Sequence, residues 1–326
     1  MLMAALAGCK KGSGGGSDDG TGDGTGDVPK DWIQITTPAD MNNVRNNLSG
    51  NYILMNDISL SAYSAGTGWG PIGTDIAPFT GKFNGHGHKI TGLAINNTNG
   101  YDYIYYGLFG CIHDGSVSNL GVEIAASGII GRSYVGGIVG YVDGGTITNC
   151  YTTGNVSSTT YAGGIAGGVN GTINNCYSTG NISSTAQSTS YSYFYSYAGG
   201  IAGYSEDGKI TNCAAINSTI YATSKAAYNS TDPSYAKAGR IAAAIAGTAS
   251  NNFALADMQA TGVAFEISAV NQGVSKTLEE LQTQSTYSDP VNGDGLGGLG
   301  WKFGSDDNNP WKMPAAGGFP VLYQQQ

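Results

Sequence analysis

The chain has 326 residues, of which 11% are charged and 53 are Gly, with 21 Tyr and a formal net charge of −9. Ordinary globular domains carry about 25% charged residues, so polarity here comes from Ser, Thr, Asn and Gly, as in secreted and cell-surface β proteins. An acidic chain whose one basic cluster is Lys10-Lys11 has no electrostatic footprint for nucleic acid, and no 18-residue apolar run offers a transmembrane helix.

Residues 1–9, MLMAALAGC, end in Leu6-Ala7-Gly8-Cys9, which looks like a lipobox with Cys9 as the lipidated residue, on a short apolar run without a positive n-region. Residues 10–30 are dominated by Gly, Ser and Asp and read as a flexible tether. Ser17-Asp18-Asp19 resembles the acidic signal that sends lipoproteins of the Bacteroides group to the outer surface. Together these predict an outer-membrane lipoprotein exposed on a Gram-negative cell, held to the membrane through Cys9.

The folded part is expected from residue 31. Thr37-Pro38-Ala39-Asp40 opens a short helix with Met41, Val44 and Leu48 on one face, placed to close the first strand edge. A strand (51–60) and a first coil (79–95) follow. His86 and His88 alternate there and could converge on a metal, but no third ligand is near. Turn and hydrogen-bonding roles fit them better, and His113 has no local carboxylate beyond Asp114.

Residues 136–213 repeat themselves three times: GGIVGYVDGGTITNCYTTGNVSS from Gly136, GGIAGGVNGTINNCYSTGNISS from Gly163 and GGIAGYSEDGKITNCAAINSTI from Gly199. Looser copies start at Gly107 and Gly239. Matching Gly107, Gly137, Gly164, Gly200 and Arg240 gives steps of 30, 27, 36 and 40 residues, and a second marker (Leu120, Cys150, Cys176, Cys213, Phe253) advances by nearly the same amounts. Short alternating segments such as Thr146-Ile147-Thr148, separated by turn formers, are strands too small to bury a face unless stacked. The expectation is an all-β, single-stranded parallel β-helix over 31–256, with short capping segments containing helix and a C-terminal cap at 257–326. Cys150, Cys176 and Cys213 share one register and should stack as buried, reduced thiols; Cys111 should be buried as well. Asn119, Asn149, Asn175, Asn212 and Asn252 share another, either as an amide ladder or as solvent-facing turns. Sequons at Asn47, Asn155, Asn170 and Asn181 follow from composition and read as turns.

The GGI[AV]G…I.NCY.TGN.S pattern resembles the GLUG repeat of bacterial surface proteins, found in predicted adhesins and in non-catalytic regions of some immunoglobulin-A-cleaving metalloproteases. The resemblance implies a right-handed solenoid and a surface role. This sequence lacks HExxH, so protease activity does not carry over.

Two inserts stand out. Residues 186–197 bring Tyr191, Tyr193, Phe194, Tyr195 and Tyr197 together, and Tyr101, Tyr103 and Tyr105 precede the Gly107 copy, beside Tyr106. Tyr supplies rigid, amphipathic contact area suited to sugars and proteins, so these residues are the candidate ligand-binding set. The alternative is rings packed on the solenoid flank. A third insert (221–239) has no assigned role. At the C-terminus Thr277 to Glu280 is a capping box, and Trp301, Phe303, Trp311, Phe319 and Leu322 should cover the last coil, as similar segments end many GLUG arrays. The groups Asp289, Asn292, Asp294 and Asp306, Asp307 suit turns better than calcium, lacking EF-hand spacing; no other cofactor is expected.

The reading is a non-enzymatic, surface-anchored binding protein, adhering to a host or neighbour-cell glycan or protein. One alternative is a polysaccharide lyase or glycosidase, which needs paired carboxylates; the coils offer only Glu123, Asp143, Glu206 and Asp207. A purely structural spacer is the other.

Overall fold

The computed structural model describes residues 28–98, 105–187, 195–225, 235–265, 272–289 and 297–325. Its strands are short, and alternation within them sets the architecture. In Ser116–Ser118 the middle residue, Val117, turns inward while its neighbours face out. Register then places Phe83, Val117, Ile147, Ile173 and Ile210 one above another. A second column runs Ile95, Ile129, Val156, Ile182 and Ile220. All ten are at most 2% exposed. Adjacent coils sit about 4.8 Å apart, so each branched side chain packs on its equivalents above and below. Burial of one such side chain contributes about 1.5–3 kcal/mol, but only when neighbouring coils are present to cover it.

The coils build three parallel sheets of 11, 12 and 5 strands, and the C-terminal hairpin Trp311–Lys312 with Val321–Leu322 is the antiparallel exception among the strand pairs described. This is the expected parallel β-helix. Gly136, Gly163, Gly199 and Gly239 occupy one register. The reason is space: a Cβ on Gly163 would lie 2.0 Å from the Ala166 carbonyl oxygen. Arg240 stands where Gly200 does one coil earlier, and is tolerated because its side chain turns to the terminal rung. Its guanidinium donates to Ser275 Oγ and to the carbonyls of Ala254 and Leu255 at 2.8–2.9 Å.

The start of the core is closed as expected. Pro38–Asn43 is helical behind a Thr37 capping box, and Met41 and Val44 are fully buried. At the other end, Val274–Lys276 adds a rung on Phe253–Leu255 before the Thr277-capped helix Leu278–Leu281. The aromatic tail then departs from expectation. It does not stay over the last coil but folds back along the flank. Trp301, Trp311, Tyr287 and Leu322 bury themselves with Tyr151, Tyr177 and Phe253, and Phe319 packs beside them. The cause is an apolar stripe on the coils' outer side: Gly121, Tyr151, Tyr177, Ala214 and Phe253 share one register. The Tyr151 and Tyr177 rings stack at 5.1 Å, and Trp301 on Trp311 at 4.4 Å.

The asparagines are both turn and ladder. Asn119, Asn149, Asn175 and Asn212 have φ of 51–55°, a region that Asn tolerates better than other non-Gly residues. Asn149 Nδ2 donates to Asn119 Oδ1 (3.1 Å) and Asn175 Nδ2 to Asn149 Oδ1 (3.2 Å). The ladder then shifts, because Asn174 offers an acceptor one position earlier and takes bonds from both Asn212 Nδ2 and Thr211 Oγ1. In the last coil the rung is Asn251, not Asn252 (φ 54°, 2.6 Å to Asn212 Oδ1). Pairing of Ser205 with Ile245 but Lys209 with Thr248 shows one residue missing from that coil. Asn252, rather than Phe253, therefore falls in the cysteine column and ends it, accepting from the Cys213 amide and donating to the Ile210 carbonyl. Cys150, Cys176 and Cys213 are fully buried free thiols, and burial pushes the Cys176 and Cys213 pKa well up. Cys111 is fully buried too.

Candidate binding surface

The tyrosines form a rail. Each strand of the five-stranded sheet sets a residue in one column: Tyr105, Tyr134, Tyr161, Tyr197 and Lys237. The adjoining column of the 11-stranded sheet reads Cys111, Tyr141, Gly168, Tyr204. Rings from the two columns interlock. Tyr134 stacks on Tyr161 at 4.5 Å, Tyr105 on Tyr141 at 5.4 Å, and Tyr161 meets Tyr204 at 5.7 Å. Gly168 makes room, since a Cβ there would lie 2.6 Å from the Tyr141 ring and 2.8 Å from that of Tyr134. Burial, reinforced by nearby carboxylates, pushes the Tyr105 phenol up to about 12, and burial raises those of Tyr134, Tyr141 and Tyr161 further. All of these phenols are therefore hydrogen-bond donors at neutral pH.

Among the candidate residues, Tyr105 (3% exposed) and Tyr197 (9%) belong to this rail, while Tyr195, 47% exposed, leans on Tyr197 and Tyr235. Tyr101, Tyr103, Tyr191, Tyr193, Phe194 and the lipidation candidate Cys9 lie outside the described residues. Tyr134, Tyr141, Tyr161 and Tyr204 were missed by sequence reasoning. The signal for Tyr134 and Tyr161 was a position two residues before Gly-Gly that they share with Tyr197, and Tyr141 and Tyr204 each follow the Gly that closes GGIVG or GGIAG.

Beside the rail runs a polar column of His113, Asp143 and Asn170, and Glu206 follows Ser205, the partner of Val169, on the next coil. His113 is not confined to Asp114. Its Nδ1 lies 2.9 Å from Asp143 Oδ2, while Asn170 Nδ2 donates to Asp143 Oδ1 at 2.9 Å, so both carboxylate oxygens are engaged. Glu123 pairs instead with Lys89 on the 12-stranded sheet, at 2.9 Å. Asp143 and Glu206 stand two coils apart with Asn170 between them.

His86 and His88 do not converge on a common ligand. His88 Nδ1 faces Asp57 (3.3 Å) and His86 Nδ1 faces Asp307 (3.1 Å). Asp307 also accepts from Asn84 Nδ2 (2.7 Å) and the Tyr323 hydroxyl (2.8 Å), and Gln325 reaches the Gly87 carbonyl and the Tyr151 hydroxyl. With the Trp301 indole bonded to the Asn212 carbonyl, the tail is fastened at both ends. Asp306 caps its own turn through the amides of Asn308 and Asn309. Among the described residues, no three His, Cys, Asp or Glu side chains are placed to share a metal ion.

A family model described as the GLUG motif matches residues 131–157 and 194–221. Two of the repeats thus match the GLUG motif, and both are built into the parallel β-helix. A protein named "Putative Gly-rich membrane protein" from Evansella cellulosilytica is 47% identical over 91 residues, 26% of this chain and 10% of that protein. "Halomucin" of Haloquadratum walsbyi is 31% identical over 151 residues, 43% of this chain and 2% of that protein. The chain thus spans a small fraction of either relative. A crystal structure described as a "putative immunoglobulin A1 protease" from Bacteroides ovatus superposes with a TM-score of 0.53 at 20% identity, covering 90% of this chain and 92% of that one. That likeness is one of fold.

Proposed function

We propose that this GLUG-repeat protein is a non-enzymatic binding module of the cell envelope, an adhesin in the broad sense. It would be held as an outer-membrane lipoprotein through Cys9 and engage an extracellular glycan or a surface protein. The observation that carries this is the protonated tyrosine rail leading to exposed Tyr195, beside an insert whose sequence adds Tyr191, Tyr193 and Phe194. Donor phenols on a rigid platform fix a ligand with little loss of side-chain entropy. Relatives named for membranes and mucin-like surfaces support an envelope location. The burial of Tyr105 and Tyr197 favours the competing spacer reading, in which the rings only pack.

The test is a binding panel of host glycoproteins, mucin glycans and bacterial polysaccharides. Wild-type chain is compared with a variant lacking 188–194 and with Tyr195→Ala. Saturable binding weakened by both changes, with the β-sheet circular dichroism intact, is the expected result. No binding anywhere on the panel would leave the spacer. Labelling with a radioactive fatty acid, abolished by Cys9→Ala, checks the anchor.

A further inference from the structure

A second surface lies farther along the same 11-stranded sheet that carries Tyr141 and Tyr204. The outward residues there form a track in strict register: Lys82, Ser116, Thr146, Thr172, Lys209 and Thr248. A parallel row of Thr148, Asn174 and Thr211 is tied down internally, Thr148 Oγ1 to the Asn174 carbonyl and Thr211 Oγ1 to Asn174 Oδ1. The track itself holds its polar groups in reserve. Among the described residues, the hydroxyls of Thr146 and Thr172 make no hydrogen bond, and Lys82 and Lys209 make no ion pair. Between the rows lies a shallow groove of about 470 Å³, lined only by Thr, Ser, Asn and Lys209.

Three features select the occupant. The donors repeat at about 4.8 Å along the solenoid axis, which matches a polymer presenting the same polar groups again and again. Thr is stiff at χ1, so the hydroxyls are pre-positioned and little entropy is lost on binding. Charge decides the class of polymer. The protein carries 23 acidic residues against 14 basic ones, yet no carboxylate lines this groove, and its track has cations at positions four coils apart, about 19 Å. We infer that this groove, together with the track that continues from it through Ser116 to Lys82, binds an extended acidic polysaccharide, with its uronate carboxylates at Lys209 in the groove and Lys82 beyond it, and its hydroxyls on Thr146 and Thr172. The inference rests on the envelope-binding reading for its setting but uses a different surface.

The test is affinity electrophoresis of the full chain in gels containing alginate, a polyuronate, or dextran, a neutral glucan. Alginate should retard the wild type and dextran should not. Lys82→Gln with Lys209→Gln should weaken retardation about tenfold and remove its salt sensitivity. Thr146→Val with Thr172→Val keeps β-branched shape on the exposed face and should weaken it about tenfold with salt sensitivity retained. Unchanged melting temperatures establish that each variant is folded, and Lys209→Gln alone serves where a double variant is not. No retardation by alginate, equal retardation by dextran, or variants that match wild type would overturn the inference. The 188–194 deletion runs alongside: binding lost there but kept in the track variants would sink the groove and leave the tyrosine surface standing.

Discussion

The folded-back tail should be separable from the solenoid, and Trp311→Ala is the substitution that tests this. Trp311 is fully buried, stacked on Trp301 at 4.4 Å and 5.9 Å from the Tyr177 ring. A buried aromatic of this kind removes about 150–250 Å² from water, worth about 4–6 kcal/mol at 25 cal/mol per Å². Large-to-small replacements of Trp cost about 3–5 kcal/mol. The tail rests on the flank and shares no inward column with the coils, so the loss should fall on docking alone. The assay is native-state hydrogen exchange. The amides of Trp301 and Tyr323, bonded to the Tyr287 and Pro310 carbonyls, should lose protection by a factor of about 100 or more, since 1.4 kcal/mol is tenfold. The amides of Ile165 and Ile201, bonded from coil to coil, should keep theirs. Parallel loss in both sets would refute the reasoning and make the tail part of one cooperative unit with the core.

Acid should loosen the same segment. Burial alone would raise the Asp307 pKa, but the hydrogen bonds from His86, Asn84 and Tyr323 outweigh it and hold the group below its ordinary value. A depressed carboxylate stabilises the folded form above its unfolded pKa of about 3.9 and loses that contribution as pH falls through the lower folded value. Tail proteolysis at Lys302 and Lys312 should therefore rise below about pH 4, and Asp307→Asn should flatten that dependence. A comparison of Asn149→Gly with Asn149→Ala separates the two duties of the ladder. Both lose the amide bonds, about 0.5–1.5 kcal/mol each. Ala alone also bears about 1–2 kcal/mol for a left-handed φ, so urea midpoints should rank wild type, Gly, then Ala.

What the sequence made legible follows from what repeats. Gly-Gly turns, the Ile columns and the cysteine stack recur at matched positions, so periodicity alone declared the β-helix. The Asn ladder was legible too, until tandem asparagines offered two solutions: at Asn174-Asn175 and Asn251-Asn252 only the backbone register decides which amide faces its neighbour. His113 and Asp143 are 30 residues apart, the step that separates Gly107 from Gly137, so their pairing was available from coil spacing and was overlooked by searching nearby. The tail was not legible in this way. Its partners, 89 to 238 residues distant, are chosen by aromatic packing on a stripe that exists only after the coils have stacked.

The fastened tail also changes how the molecule would answer to force. Coils joined only to their neighbours form a chain of elements in series, and tension along the axis reaches each interface undiminished. A segment anchored at Asn212 and again at Asn84 and His86 runs beside those interfaces and takes part of the tension in parallel. The coils between those anchors should peel apart at higher force than those beyond Asn212, so mechanical failure should begin at the C-terminal end of the stack.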